Sequence, residues 1–151
     1  MNNKNTRIAL YVRSTARDSQ LSLDAQEARL RAAIDQHFSG PHDIVGVYRD
    51  EGSYRRPLPG RCRMVGAITA GEVDVLAVTR IDRISRSAVG VVELLTALEK
   101  QGGRLWCPQV ECDTSTVLGR TVVALLRLSA ESESGYRSER IKAALAARRS
   151  R

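Results

Sequence analysis

An α/β domain built on a mainly parallel sheet, ending in one long helix, is the fold that this sequence of 151 residues predicts. Three observations point there. Short, apolar, β-rich runs alternate with segments of helical periodicity, the pattern of strand and helix units that feed a parallel sheet. The run VDVLAV (73–78) is apolar at nearly every position, as a strand covered on both faces must be. From about Val117 to the end there is no proline, and Gly135 is the only glycine after Gly119, so a helix can run unbroken.

Each element has its own signal. RIALYVR (7–13) alternates and is β-rich, which reads as the first strand. Ser22 suits a helix N-cap, with Leu23, Leu30, Ile34 and Phe38 on one face behind it, and Gly40-Pro41 stops that helix. IVGVYRD (44–50) is a second strand, EGSYRRPLPGR a loop, and residues 61–70 a short helix. After the third strand, Val91, Leu94, Leu95 and Leu98 fall at helical spacing, closed by Gly102-Gly103. RLWCPQ supplies a short fourth strand.

In the final helix, Leu118, Val122, Leu125 and Leu126 form the expected apolar stripe. Beyond SAESES (129–134) large apolar residues no longer form a stripe. Arg137, Arg140, Lys142, Arg148, Arg149 and Arg151 stand there against one acid, Glu139. Such a helix leans on a partner subunit or a polyanion, or else is a solvated end. The chain therefore divides into an α/β core over 1–115 and a long basic helix over 116–151.

Composition narrows the function. A net charge of +7 favours a polyanion partner, while 4% aromatic residues leave little for base stacking. Cys62, Cys107 and Cys112 contain no CxxC pair, which reads as reduced thiols in a cytoplasm. His37 and His42 lie far from them in sequence, so a zinc site lacks ligands. MNNKNTR has no apolar signal region, and no run approaches a membrane span. A soluble cytoplasmic protein without membrane contact is expected.

The chemistry gathers at two strand ends. RIDRISRS (80–87) follows the most apolar strand directly and opens into the crevice found beyond the carboxyl ends of parallel strands. Arg83 and Arg86, three apart, share a face where the next helix has begun, and Asp82 is placed to orient a guanidinium. Arg13 ends the first strand, followed by Ser14 and Thr15. Arg13, Arg83 and Arg86 around a phosphate, with one hydroxyl in line, would suit covalent displacement at a phosphodiester. Asp50, Glu51 and Asp82 form no recognisable two-metal pattern.

These residues resemble the serine site-specific recombinases, the resolvase and invertase family. The resemblance runs through YVR (11–13), SLDAQ (22–26), YRDEGS (48–53), DRISR (82–86), DTSTVLGR (113–120) and SERIKAAL (138–145). It implies a resolvase-like fold, a covalent 5′-phosphoserine link to DNA, strand exchange within a tetramer assembled from dimers, and no metal, ATP or other cofactor. By position, Arg13, Arg83 and Arg86 would bind the scissile phosphate and Asp82 would order them. Gln26 and Ser53 would support the site. Arg56 would add a basic contact, with Arg55 competing for that place, and Glu139 and Arg140 would brace an interface or the active site.

Two departures from the family pattern bear on activity. The family places its nucleophilic serine two positions after the arginine, where this sequence has Thr15, and Ser14 comes one early. A one-residue gap makes Ser14 the nucleophile, an ungapped alignment makes it Thr15, and a third possibility is that neither attacks. Ser14 is preferred, because a primary hydroxyl is the less hindered attacker. The resemblance also leads one to expect a separate DNA-binding domain beyond the long helix, and no such segment stands in these 151 residues. The leading expectation is a recombinase catalytic domain. A catalytically impaired oligomerisation and DNA-contact module that regulates an active relative is the alternative. A phosphate-ligand domain of doubly wound type would want a glycine-rich loop after the first strand, which is not there.

Overall fold

The computed structural model describes residues 4–15, 22–53 and 57–149. Strands β1 (Thr6–Ser14), β2 (His42–Glu51), β3 (Val75–Val78), β4 (Arg104–Cys107) and β5 (Cys112–Asp113) form one sheet in the order β2-β1-β3-β4-β5. The first four run parallel and β5 returns antiparallel to β4. Helices α1 (Leu23–His37), α2 (Pro59–Thr69), α3 (Ala88–Lys100) and α4 (Val117–Arg149) complete the α/β fold that the sequence predicts.

The pleat of β1 sorts the core. Ile8, Leu10 and Val12 pack with Leu30 and Ile34 of α1, while Ala9 and Tyr11 face the opposite side with residues of α2 and α3. Residues 8–12 are all sealed from solvent, as a central strand with both faces covered requires. Ser22 and Ser87 cap α1 and α3, accepting the amides of Ala25 and Gly90.

Four local expectations need correction. The second helix starts at Pro59, ahead of the expected 61, because proline at the first helical position loses no hydrogen bond. The antiparallel β5 was not legible, since two residues carry no periodicity. The expected stripe of α4 holds only in part: Val122 and Leu126 are half-buried against the core, Leu118 and Leu125 are exposed, and Gly119, Val123 and Ala130 are the buried positions. Gly119 and Ala130 add small positions that admit close approach. The third helix begins only at Ala88, so Arg83 lies in a separate turn of 3-10 helix (Ile81–Arg83), and it does not share a helical face with Arg86.

α4 is about 50 Å long at the usual helical rise, and past Ala130 nearly every residue is exposed. Thr116 starts it, its hydroxyl accepting the Gly119 amide. Among the described residues no helix is long and apolar enough to cross a membrane. At the other end of the sheet, Arg7 grips Asp74 with its backbone amide, Nε and Nη2 at 2.8–3.1 Å. Hydrogen bonding and charge from Arg7 hold the Asp74 carboxyl below the usual aspartate range.

Two glycines of α4 should respond oppositely to one methyl group. A Cβ at Gly119 would meet the Asp113 carbonyl oxygen at 1.8 Å, whereas one at Gly135 would meet nothing within 4 Å. Gly119→Ala should cost about 2 kcal/mol or more, and Gly135→Ala should gain about 1 kcal/mol, both read from urea midpoints. Asp74→Asn should lower stability at pH 7. Its deficit should shrink as pH falls below about 4, where Asp74 of the unfolded chain takes up a proton while the folded carboxyl, held lower, does so only at more acid pH, as a pH series of melting temperatures will show.

Candidate active site at the strand switch point

β1 and β3 lie side by side, yet the chain leaves β1 for α1 on one face and leaves β3 for α3 on the other. Their carboxyl ends therefore part at a topological switch point, where sheets of this kind open a crevice. Ser14 and Thr15 form one lip of it and residues 80–87 the other.

Arg13 crosses the opening. Its side chain is buried, with Nη1 donating to the Gly52 carbonyl at 2.7 Å and Nε to the Arg83 carbonyl at 3.3 Å. Gly52 returns its amide to the Ser14 carbonyl at 2.9 Å, in a backbone conformation (φ 111°) that side chains disfavour. Gln26, buried on α1, donates Nε2 to the Arg13 carbonyl at 3.2 Å. The end of β1 is thus held from both faces. β1 also stays paired through Ser14, opposite Glu51. Its pleat puts Ser14 in line with Ile8, Leu10 and Val12 on the α1 side, and Arg13 in line with Ala9 and Tyr11 on the other.

Asp50 is the residue that sequence reasoning passed over, weighing it only as a metal ligand. It is 4% exposed, and its carboxylate accepts the Tyr11 hydroxyl at 2.9 Å and the amides of Gly60 and Arg61 at 2.8 and 2.7 Å. A carboxylate ten residues upstream therefore caps α2, whose own cap residue, Leu58, has no side-chain acceptor. The available signal was a charged residue closing a β-rich run just before a proline-opened helix.

The remaining predicted residues divide. Arg83 is half-buried and its carbonyl meets Arg13, while Arg86 is exposed and lines a groove of about 700 Å³ with Ser87, Glu133, Tyr136, Arg137 and Arg140. Asp82 is exposed and pairs with Arg80 at 2.7 Å. Ser53 is exposed just beyond β2, Glu139 is exposed on α4 away from the groove, and Arg55 and Arg56 lie outside the described residues. Glu133 went unnoticed in the sequence, yet its Oε1 accepts the Ala88 amide and joins α4 to the first turn of α3.

Competing chemistry is thin here. Cys107 and Cys112 sit opposite each other in β4 and β5, and burial pushes both thiols up, which keeps them protonated and poorly nucleophilic. Among the described residues no group of three His, Cys, Asp or Glu side chains could hold a metal ion.

Tyr11→Phe removes one hydrogen bond and should cost about 1 kcal/mol, while Asp50→Ala leaves two buried amides and a phenol unsatisfied and should cost about 3 kcal/mol. Denaturant titration of the two variants tests that ranking.

Comparison with known proteins gives the chain a family. Residues 8–151 match the family described as the resolvase N-terminal domain. A probable DNA-invertase of Sinorhizobium fredii is 32% identical over 145 residues, covering 96% of this chain and 44% of the relative, so the chain spans less than half of that protein. An integrase-like protein of the same organism is 32% identical, covering 93% of this chain and 71% of its own length. A solved resolvase family site-specific recombinase from Streptococcus pneumoniae superposes with a TM-score of 0.75 at 24% identity, covering 96% of this chain and 99% of its own. The N-terminal catalytic domain of TP901-1 integrase gives 0.72 at 23% identity, covering 87% and 98%. The chain belongs to the resolvase family, through a match to its N-terminal domain that spans nearly all of these residues.

Proposed function

We propose that this chain is the catalytic domain of a DNA site-specific recombinase that cuts and rejoins DNA through a covalent phosphoserine. The observation that carries the reading is the reach of Arg13 across the switch point to the Arg83 carbonyl. It ties the strand end that bears the hydroxyls to the loop that bears the other arginines. In the proposed reaction, Ser14 Oγ gives up its proton as it bonds to a DNA phosphorus and joins the 5′ side. The bond from phosphorus to the 3′ oxygen breaks, and that oxygen leaves as a hydroxyl by taking up one proton, so protons balance through solvent. Arg13, Arg83 and Arg86 offset the charge gathering on the phosphate oxygens, with Asp82 ordering the loop. The phosphodiester energy is kept in the serine ester, so rejoining is attack by a 3′ hydroxyl on the same phosphorus.

Gln26 and Ser53 support the strand ends in this reading, Arg56 adds a basic contact, and the outer half of α4, with Arg140 and Glu139, meets DNA or a second subunit. Leu118, Leu125, Leu128, Ile141 and Leu145 are all more than half exposed on α4. A helix so decorated is suited to pairing with other copies, and assembly to dimers and then a tetramer would cover them.

The pleat at Ser14 favours a second reading. A serine held on the α1 side of a regular strand points away from the face of Arg13, and Thr15 is the next position that would return to it. Either Thr15 attacks, or the domain is catalytically impaired and serves as an oligomerisation and DNA-contact module for an active relative.

A nicked suicide duplex separates these cases. Wild-type protein should become covalently attached to the 5′ phosphate, Ser14→Ala should form no adduct, and Thr15→Ala should retain it. Loss of the adduct only in Thr15→Ala reverses the nucleophile assignment. Absence of any adduct from wild-type protein that folds and self-associates rejects the catalytic reading for the impaired one.

A further inference from the structure

The arginine-bearing loop has a second anchor beside Arg13. Its backbone turns once as 3-10 helix at Ile81–Arg83 and does not become α3 until Ala88. Between those points the carbonyls of Arg83 and Ile84 lack the helical donors they would have in a longer helix. The amides four residues on, of Ser87 and Ala88, are turned to Ser85 Oγ and Glu133 Oε1. Two guanidinium groups fill the gap on consecutive residues. Arg13 Nε takes the Arg83 carbonyl at 3.3 Å, and Arg61 Nε takes the Ile84 carbonyl at 2.9 Å.

Arg61 is itself firmly placed. Its amide is held by Asp50 Oδ2 at 2.7 Å, and the preceding residue, Gly60, is pressed so close to β2 that a Cβ there would lie 2.4 Å from the Arg49 carbonyl oxygen. Asp50 in turn takes the Tyr11 hydroxyl of β1. A continuous path therefore runs from Tyr11 on β1 through Asp50 on β2 and Arg61 on α2 to Ile84 beyond β3. Ile84 is fully buried, so the loop is pinned on its inner side, with Arg83 half-buried and Arg86 exposed on either side of that anchor in the chain.

We infer that Arg61 is a positioning residue for the strand-cleavage reaction, fixing the backbone from which Arg83 and Arg86 reach the phosphate. This rests on the recombinase reading. A misplacement of about 1 Å at a reacting group can cost about a hundredfold in rate, so losing one of two anchors should be felt in the chemical step before it is felt in binding. Lysine cannot replace it. Its compact ammonium on a flexible stem lacks the planar Nε–H that meets Ile84 edge-on.

The test compares wild type with Arg61→Ala and Arg61→Lys in the full chain. Single-turnover adduct formation at saturating suicide duplex should fall ten- to a hundredfold in Arg61→Ala and nearly as far in Arg61→Lys. Apparent affinity for the duplex should change less than threefold, and free guanidinium should restore part of the Arg61→Ala rate. Independently of activity, amide exchange in peptides spanning 80–86 should quicken about tenfold in Arg61→Ala while peptides from β1 and α1 keep their wild-type rates. Unchanged exchange over 80–86 overturns the inference, as does exchange that quickens everywhere alike, because the role is then one of general stability. An unaltered cleavage rate overturns it equally. Should wild-type protein form no adduct, the recombinase reading fails by itself, and the exchange measurement still decides whether Arg61 holds the loop.

Discussion

A parallel sheet leaves its carboxyl edge unfinished, and everything notable about this molecule follows from how that edge is closed. At the switch point between β1 and β3 the chain turns to opposite faces, and side chains take up carbonyls of the loop after β3 that its own 3-10 turn does not. Arg13 does so from inside the sheet, sharing its guanidinium between Gly52 and Arg83. One buried cation thereby joins the ends of three parallel strands. Removing a charge from water is costly unless hydrogen bonds replace it, and here two carbonyl oxygens contribute to that replacement. The same cation stands beside two hydroxyl residues and near two more arginines, which is the arrangement an anionic phosphodiester would find favourable.

Much of this was legible in the sequence because it depends on local pattern. Ser22 announces α1, the apolar run 73–78 announces a strand buried on both faces, and Asp82 and Arg83 follow in the turn that leaves it. What escaped depends on residues distant in sequence. Asp50 caps a helix ten positions away, and Arg61 bonds a carbonyl twenty-three positions on, and no periodicity encodes such contacts. α4 misled for a different reason. It carries large apolar residues on more than one face: Leu118, Leu125 and Leu128 are left exposed, while Val122 and Leu126 join Gly119, Val123 and Ala130 in the intramolecular contact. Hydrophobicity marked a surface to be covered, without marking by what.

α4 also separates the chain's two physical regimes. Up to Ala130 it belongs to the core, and beyond it the helix is basic and largely exposed. A contact with the α/β core persists where Glu133 reaches the Ala88 amide at the start of α3, next to Arg86. The helix that would meet DNA or other subunits is therefore mechanically continuous with the loop proposed to hold the phosphate.

The central claim is that guanidinium groups from separate strand ends converge on one phosphorus beside the hydroxyl at the exit of β1. A crystal structure of the chain bound to duplex DNA measures it directly. The account predicts Arg13, Arg83 and Arg86 nitrogens within about 3 Å of oxygens on a single phosphate, and the Ser14 oxygen about 3.5 Å from its phosphorus. A DNA backbone bound only along α4, with the Arg13 crevice facing solvent in every subunit, would contradict it.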